Sequence, residues 1–261
     1  MFCYVIFILY FCRRFYNLEL ITIMKYVVLK DKNLRQLSFY LAMEEYIARH
    51  FEADDYFFMW QVEPSVIFGR NQVAENEVNF DYCREHGIRV FRRKSGGGCV
   101  YADQDNVMMS FVTPNEDVAL TFNRFIGMLL LVLRKLGVKA TSTTHNDVMI
   151  GDRKVSGTAF YHLPGRSIVH GTMLYDTNMD HMLHAITPSH EKLQAKGIES
   201  VRQRITFLKD YIPQSLEEFK TFVRSTLCND EWVLTEDEIK GIEALEQTYL
   251  DKDFVKLIIK S

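Results

Sequence analysis

The apolar residues of this chain recur at a helical spacing in some stretches and at a strand-like spacing in others. Apolar positions at every third or fourth residue of 34–51 predict an amphipathic helix. The apolar-rich stretch 117–136 predicts a second, well-buried helix, and Gly137 stands where a C-cap belongs. Helices are also predicted for 215–227 and 235–250, the latter behind a Thr-x-x-Glu capping box.

Short runs of β-branched and aromatic residues predict the strands. These runs are 24–29, 56–60, 65–68, 88–91, 107–112, 148–150, 154–160 and 167–174. Gly151-Asp152 predicts a tight hairpin turn. Because helices and strands do not alternate regularly, the pattern predicts an α+β domain with mixed or antiparallel β-sheets flanked by helices.

Composition narrows the class of protein. With 261 residues, 48% hydrophobic and 25% charged, the chain fits one large globular domain. A net charge of −3 gives no reason to expect a nucleic-acid partner. The five cysteines are scattered without a C-x-x-C pair, which indicates free thiols in a reducing cytoplasm and no zinc site.

The first residues differ from the rest of the chain. Residues 1–12 are almost wholly apolar and are followed by Arg13 and Arg14. A bilayer-spanning helix needs roughly 20 apolar residues, and a secretory signal carries its charges before the apolar run. We therefore expect residues 1–23 to lie outside the folded domain, with translation starting at Met24, and the domain to span 24–261. A membrane anchor is the alternative. An intact mass of the native protein that includes Met1 to Ile23 would contradict a start at Met24.

A basic, glycine-rich segment is the first candidate for chemistry. Residues 92–98 read Arg-Arg-Lys-Ser-Gly-Gly-Gly and directly follow a predicted strand. Successive glycines let backbone N–H groups approach an anion, and the basic residues supply charge for it. A basic surface turn is the alternative, and the segment is not a P-loop, because it lacks the Walker A pattern.

Two further segments place polar residues on predicted strands. In 146–157, Asn146-Asp147 precedes a hairpin, and strand alternation predicts Lys154 and Ser156 on one face. A lysine ammonium suits a phosphate or a developing oxyanion, although a lone strand lysine is more often simply solvated. His170 lies in an apolar strand, where a core histidine is the alternative to a functional one. Since no ligand-spaced cluster surrounds it, we expect no tightly bound protein metal.

Taken together, these segments resemble the lipoate-protein ligase A family, which belongs with the biotin-protein ligases and octanoyltransferases. Its members carry R-R-x-S-G-G-G-x-V-[YF], then N-D-[IVL] with G-x-K-[IV]-S-G, then H-G-[TS]-[LM]-L and K-G-[IV]-x-S-V-x-x-R. This chain has them in that order at 92–101, 146–157, 170–174 and 196–204, except that two residues, Asp152 and Arg153, separate Gly151 from Lys154. The resemblance covers about 25–230 and implies the biotin/lipoate-protein ligase catalytic-domain fold.

The resemblance also implies an activity. Such enzymes join lipoic acid to ATP, with Mg²⁺ as its counter-ion, and release pyrophosphate. They pass the acyl group of lipoyl-AMP to a lysine of a lipoyl carrier domain, in a 2-oxoacid dehydrogenase complex or the glycine cleavage carrier protein. A cytoplasmic protein without a membrane partner is expected.

Site residues follow from the same resemblance. Lys154 would neutralise charge at the reaction centre, Arg93 would fork to carboxylate or phosphate oxygens, and Asp147 would contact the magnesium carried by the nucleotide. The residues expected to bind ATP or lipoyl-AMP are Arg93, Ser95, Gly96, Gly97, Gly98, Cys99, Val100, Tyr101, Asn106, Asn146, Asp147, Lys154 and Ser156. Those expected to contact lipoate are Leu41, Glu44, Trp60, Arg93, Lys154 and His170.

Departures from the family pattern leave alternatives open. Ala102 stands where many relatives have His, and Cys99, where Ala is frequent, has basic neighbours that could depress its thiol pKa. Many relatives continue into a small accessory domain, which we expect to be absent here, so a separate accessory protein is one alternative. An ATP-independent octanoyl or lipoyl transferase needs a cysteine, which 142–150 lacks. The other alternative is a non-catalytic lipoate- or carrier-binding homologue.

Overall fold

The computed structural model describes residues 24–31, 35–114, 117–144, 146–187, 204–251 and 253–254. The extension 1–23, His145 and residues 196–203 of the last family motif lie outside the described residues. The helices are α1 (Leu37–His50), α2 (Phe80–Glu85), α3 (Val118–Lys135), α4 (Met179–Ala185), α5 (Leu216–Leu227) and α6 (Glu236–Leu250). The strands are β1 (Met24–Val28), β2 (Asp55–Trp60), β3 (Ser65–Phe68), β4 (Arg89–Arg92), β5 (Val100–Ala102), β6 (Asn106–Pro114), β7 (Ala140–Ser142), β8 (Asp147–Ile150), β9 (Arg153–Leu163), β10 (Arg166–Leu174) and β11 (Asp230–Val233).

A large mixed sheet forms the centre of the fold. Its strand order is β11-β1-β2-β6-β10-β9-β8-β7. β1 pairs in parallel with both β11 and β2, whereas the ladders from β2 through β7 are antiparallel. The predicted α+β class with mixed sheets and flanking helices is therefore confirmed.

Helices cover both faces of this sheet because its central strands are apolar on both faces. Along β6, Val107, Met109 and Phe111 join a core cluster with α3 and α5. Met108 and Val112 point the other way, into a cluster with α1 and α6. The site residues on β6 and β10 thus project into the layer between the sheet and α1.

The smaller sheet positions the glycine-rich segment. Its order is β4-β3-β5, with β3 parallel to β4 and antiparallel to β5. The loop from β4 to β5 (residues 93–99, hereafter the glycine loop) crosses the end of β3, where Gly69 follows. A Cβ on Gly69 would lie 2.3 Å from the carbonyl oxygen of Gly97, so only glycine permits this contact.

Most predicted elements are present with ends shifted by a few residues. Asp117 caps α3 by accepting from the amides of Ala119 and Leu120, and Gly137 after that helix has φ +80°. The capping box of α6 is formed between Thr235 and Glu238. The short elements β5, β7, β11, α2 and α4 were not predicted.

Candidate active site

A carboxylate bridging two cations lies at the start of β8. The Nζ of Lys154 lies 2.6 Å from Oδ1 of Asp147, and Nη2 of Arg204 donates to Oδ2 at 2.9 Å. Asp147 is buried, and about a quarter of each cationic side chain is exposed. The cluster therefore carries a formal charge of plus one at the edge of the sheet.

A β-bulge decides which way Lys154 points. Val148 pairs with Ser156 while Met149 pairs with Lys154, so Val155 is an extra residue on β9. Lys154 and Ser156 consequently lie on opposite faces, and the prediction that they share one is wrong. The hydroxyl of Ser156 is buried on the face of the α3 core, with no hydrogen-bond partner among the described residues.

The glycine that ends the Lys-x-Ser-Gly motif gives Lys154 its position. A Cβ on Gly157 would lie 2.5 Å from Nζ and 2.7 Å from Cε of Lys154. The lysine side chain thus folds back over Gly157, on the face that Gly157 shares with Asp147. This contact explains why a motif with a strand lysine ends in glycine.

Arg204 reaches the cluster through backbone pairing. Ile205 forms an isolated parallel bridge with Lys154, and the amide of Thr206 donates to the Lys154 carbonyl at 2.9 Å. Sequence reasoning placed Arg204 in the last family motif but assigned it no role. The arginine that ends that motif was the available signal.

Arg93 holds the glycine loop from inside. Its guanidinium donates to the carbonyls of Gly96 (2.7 and 3.1 Å), Gly98 (2.7 Å) and Ile67 (3.2 Å). Burial lowers the pKa of Arg93 to about 10, so it stays charged at neutral pH. The expected fork to a ligand is therefore directed, in this structure, to carbonyls of the protein itself.

The charged residues on either side of Arg93 are also engaged with the protein, and the loop contains the thiol of Cys99. Lys94 forms a 2.6 Å ion pair with Glu45, and Arg92 donates to the carbonyl of Arg70 at 2.6 Å. Burial raises the pKa of the Cys99 thiol to about 12, and the charge of Arg93 offsets this only partly. The basic neighbours therefore do not depress the pKa of Cys99, because burial outweighs them.

A buried polar network runs from the glycine loop into the core. Ser95 Oγ lies 2.7 Å from Nε2 of His170, and Nδ1 of His170 lies 2.8 Å from a Glu44 oxygen. Ser110 donates to the other Glu44 oxygen and accepts from Trp60 Nε1 at 2.8 Å. Ser95 and Glu44 thus contact the two ring nitrogens of His170 from opposite sides. The network fixes the loop relative to α1, β6 and β10.

An apolar wall adjoins this network. The Trp60 ring stacks on Tyr40 with centroids 4.8 Å apart, and both belong to the core cluster that contains Leu41. Trp60 and Leu41 are each 3% exposed. A polar network set against aromatic and aliphatic side chains suits an amphipathic ligand.

The remaining loop and strand positions frame the cluster. Gly97 lies over Ala159, which is two residues, or about 6.6 Å, along β9 from Gly157. Asn146 has φ +60°, which is uncommon for a residue with a side chain, and its carbonyl accepts from Thr158 at 2.8 Å. The glycine loop thus lies about two residues along β9 from the glycine over which Lys154 folds.

The family follows from comparison with known proteins. A model of the lipoyl protein ligase A/B catalytic domain matches residues 36–227. The chain belongs to this family. Lipoate–protein ligase 1 of Staphylococcus aureus is 34% identical over 230 residues, covering 85% of this chain and 70% of that protein. A lipoate-protein ligase of Bacillus subtilis is 32% identical over 228 residues, covering 83% and 69%.

Solved structures agree with this lipoyl ligase family. The chain superposes with a TM-score of 0.79 and 26% identity on a structure described as a bi-partite lipoate protein ligase and its E2 lipoyl domain from Thermoplasma acidophilum. The match covers 92% of this chain and 98% of that one. A second T. acidophilum structure, with bound lipoic acid, gives a TM-score of 0.75 at 25% identity, covering 90% and 100%.

The family fold brings most of the expected site residues together and moves a few away. The glycine loop lies over Ala159, which pairs with His170, and Lys154 and Asp147 lie two residues along β9, at Gly157. Val100 and Tyr101 lie in β5, paired with Ile67 and Val66 of β3. Asn106 is buried and donates to the carbonyl of Tyr101 at 3.1 Å, and Ala102 is fully buried in the core.

Within the described ranges, no group of His, Cys, Asp and Glu side chains could hold a metal ion. Among the helices described above, none is long and apolar enough to cross a membrane.

Proposed function

We propose that this chain is an ATP-dependent lipoate–protein ligase. In the first step a lipoate oxygen attacks the α-phosphorus of ATP, and the bond to the bridging oxygen breaks as pyrophosphate leaves. In the second step a carrier lysine attacks the acyl carbon of lipoyl-AMP. An amide bond forms, the bond to AMP breaks, and the attacking nitrogen releases its proton. The observation that carries the proposal is the Lys154 ammonium seated over Gly157 beside the glycine loop.

Lys154 meets the electrostatic demand of the first step. Two anions, a carboxylate and a phosphate, must approach each other, so a cation has to offset the developing charge. Lys154 and Arg204 both contact Asp147, and a phosphoryl group can replace this carboxylate as their partner. We infer that Arg204 acts with Lys154 as a second cation of the reaction centre.

The glycine loop and the Asn-Asp turn would hold the nucleotide. Amides of Gly96, Gly97 and Gly98 are the proposed phosphate contacts, and Arg93 supports them through its bonds to loop carbonyls. Magnesium enters with ATP as its counter-ion. In this structure Asp147 has two cations within 3 Å, and we propose no step through a metal held there.

The acyl chain would lie along the apolar wall. Trp60 and Leu41 provide aromatic and aliphatic surface, while Glu44 and His170 supply polar groups that fix its orientation. The proposed acceptor is a lipoyl carrier domain, of a 2-oxoacid dehydrogenase complex or of the glycine cleavage system. The T. acidophilum ligase with its E2 lipoyl domain supports this partner class.

Thioester transfer without ATP is the second candidate, and the chemistry of the loop cysteine opposes it. Cys99 is the cysteine of the glycine loop, and the thiolate is the nucleophilic form of a cysteine. Burial raises the pKa of this thiol to about 12, which keeps it protonated at neutral pH. An ATP-dependent ligase is therefore the preferred function.

The test is pyrophosphate release from purified protein with ATP, magnesium and lipoate. We expect lipoate-dependent release that falls at least about 100-fold in Lys154→Ala. Lys209→Ala is the matched control, because Lys209 pairs with Asp176 on the surface and its loss should change nothing. Synthetic lipoyl-AMP with a carrier domain tests the second step separately. No release and no transfer from the wild type would contradict the proposal, whereas transfer alone would indicate that activation needs a separate protein.

A further inference from the structure

Helix α6 lies outside the residues matched by the family model, yet it reaches the glycine loop. The match ends at residue 227, and α6 spans Glu236–Leu250. Its residue Tyr249 is 3% exposed and lies beneath Lys94, with Nζ 4.5 Å from the ring centroid. The helix therefore contacts a loop that the proposed function places at the nucleotide.

Close packing fixes α6 on α1. A Cβ on Gly241 would lie 2.4 Å from the ring of Tyr46, so the glycine allows the two helices to approach. Ser38 of α1 donates to Glu246 of α6, which adds a polar contact along the same interface. The position of Tyr249 is thus set by the whole helix–helix interface.

Tyr249 meets the loop at one buried carboxylate. Its hydroxyl donates to Oε2 of Glu45 at 2.7 Å, and Lys94 contacts the same oxygen at 2.6 Å. Arg49 donates to Oε1 from two nitrogens, at 2.6 and 2.9 Å. Burial by itself would raise the pKa of Glu45, but these hydrogen bonds outweigh it and lower that pKa. Glu45 therefore remains charged and holds Lys94.

Neighbouring carboxylates on α1 hold neighbouring residues of the loop. Glu45 binds Lys94 directly, and Glu44 binds Ser95 through His170. We expect the loss of either attachment to free one side of the loop while the other side stays in place. The Tyr249 hydroxyl supports the Lys94 attachment alone.

We propose that Tyr249 is a positioning residue of the site, whose hydroxyl orients the Glu45 carboxylate that anchors Lys94 and with it the glycine loop. The structural part of the proposal concerns loop order and stands independently of any activity. Its kinetic consequence, on nucleotide binding by that loop, rests on the proposed function.

Hydrogen exchange of the full chain tests the structural part. Tyr249→Phe keeps the ring over Lys94 and removes the hydroxyl, so amides of 94–99 should exchange about tenfold faster while those of β10 are unchanged. Tyr175→Phe is the matched control, because it removes a buried hydroxyl that donates to the Gln214 carbonyl at 2.7 Å, away from the loop. Unchanged loop exchange in Tyr249→Phe, or an equal increase in the control, would overturn the proposal.

A second variant guards against a general loss of folding. Lys94→Met removes the other end of the attachment, and should speed loop exchange about as much as Tyr249→Phe does. The double variant should add little further, because both changes act through Glu45. Additive effects would place the two side chains in separate roles and contradict the proposal.

Kinetics then test the consequence for the ligase reaction. We expect Tyr249→Phe to raise KM for ATP about fivefold and to leave kcat within about twofold, since only loop order is changed. A fall in kcat without a change in KM would contradict the positioning role. If the wild type releases no pyrophosphate, the proposed function fails, and the exchange experiment still decides whether Tyr249 orders the loop.

Discussion

Gly157→Ala should disable Lys154 without weakening the fold. The new methyl group would lie 2.5 Å from Nζ and 2.7 Å from Cε of Lys154, whereas non-bonded heavy atoms normally stay about 3.5 Å apart. Nζ must therefore move by about 1 Å or more, which also breaks its 2.6 Å contact with Asp147. Because the colliding atoms end a flexible side chain, the lysine moves and the strand does not.

Gly157→Ala should lower the activity strongly and leave the stability unchanged or slightly raised. A catalytic group displaced by about 1 Å can lose 100-fold in rate, so kcat/KM for pyrophosphate release should fall about 100-fold. Gly157 does not have a left-handed φ, so alanine fits its backbone, and Gly→Ala changes of this kind stabilise by about 0.4–1 kcal/mol. The melting temperature should therefore be unchanged or slightly raised.

Gly171→Ala provides the matched control on the partner strand. Its methyl group would lie 3.0 Å from the Gly157 carbonyl oxygen and 3.1 Å from the Phe125 ring, which are backbone and core atoms. Overpacking of this kind costs about 1–3 kcal/mol. Pyrophosphate kinetics and thermal unfolding of both variants distinguish the effects. Wild-type activity in Gly157→Ala, or a loss of stability as large as that of Gly171→Ala, would refute the explanation that Gly157 positions Lys154.

Two further predictions concern buried charges near the loop. The pKa of Glu45 is lowered in the fold, so its ionisation contributes stability that is present above the ordinary value of 4.5 and lost as pH falls through the lowered folded value. Glu45→Gln should therefore weaken the dependence of the free energy of unfolding on pH in the acid range. An unaltered dependence would contradict this assignment. Arg93→Lys removes a fork that binds three carbonyls and should destabilise by about 2–4 kcal/mol. The measurement is thermal unfolding, with a lysine substitution of the exposed Arg153 as the control. Equal melting temperatures of the two variants would disprove the predicted destabilisation.

Periodicity predicted the elements that bury a face and missed those held by pairing alone. Helix α3 and strand β10 show strong patterns because their own residues form much of the core. β11 was missed because three of its residues, Asp230, Glu231 and Val233, are exposed and only the ladder with β1 makes it a strand. Such a strand exists through a partner more than 200 residues away, which no local pattern contains.

The site shows the same division between local and distant causes. The motifs located the glycine loop, His170 and Lys154, since each is a short run of unusual residues. Strand alternation failed at Ser156, because the bulge at Val155 depends on how β8 and β9 pair. The contact of Tyr249 with Glu45 joins residues 204 positions apart, and no sequence pattern near either residue predicts it.

The distribution of charge changes the role of the basic triplet. From the sequence, Arg92, Arg93 and Lys94 supply charge to an anion held by the glycines. In the fold Lys94 is neutralised by Glu45, and the N–H groups of Arg93 are directed to loop carbonyls. Carbonyls do not cancel a charge, so the buried guanidinium still contributes positive potential at the loop, in surroundings where screening is weak.

We therefore assign direct contact with a phosphoryl group to the cations whose present partner is a carboxylate, because a phosphate can replace it. Lys154 and Arg204 share one carboxylate, and an incoming phosphate offers the same kind of oxygen with more negative charge. The carboxylate of Asp147 also prevents two like charges from repelling each other before the ligand arrives. We infer that Asp147 keeps both cations in place until the nucleotide binds, whereas the basic triplet Arg92-Arg93-Lys94 holds the glycine loop in position.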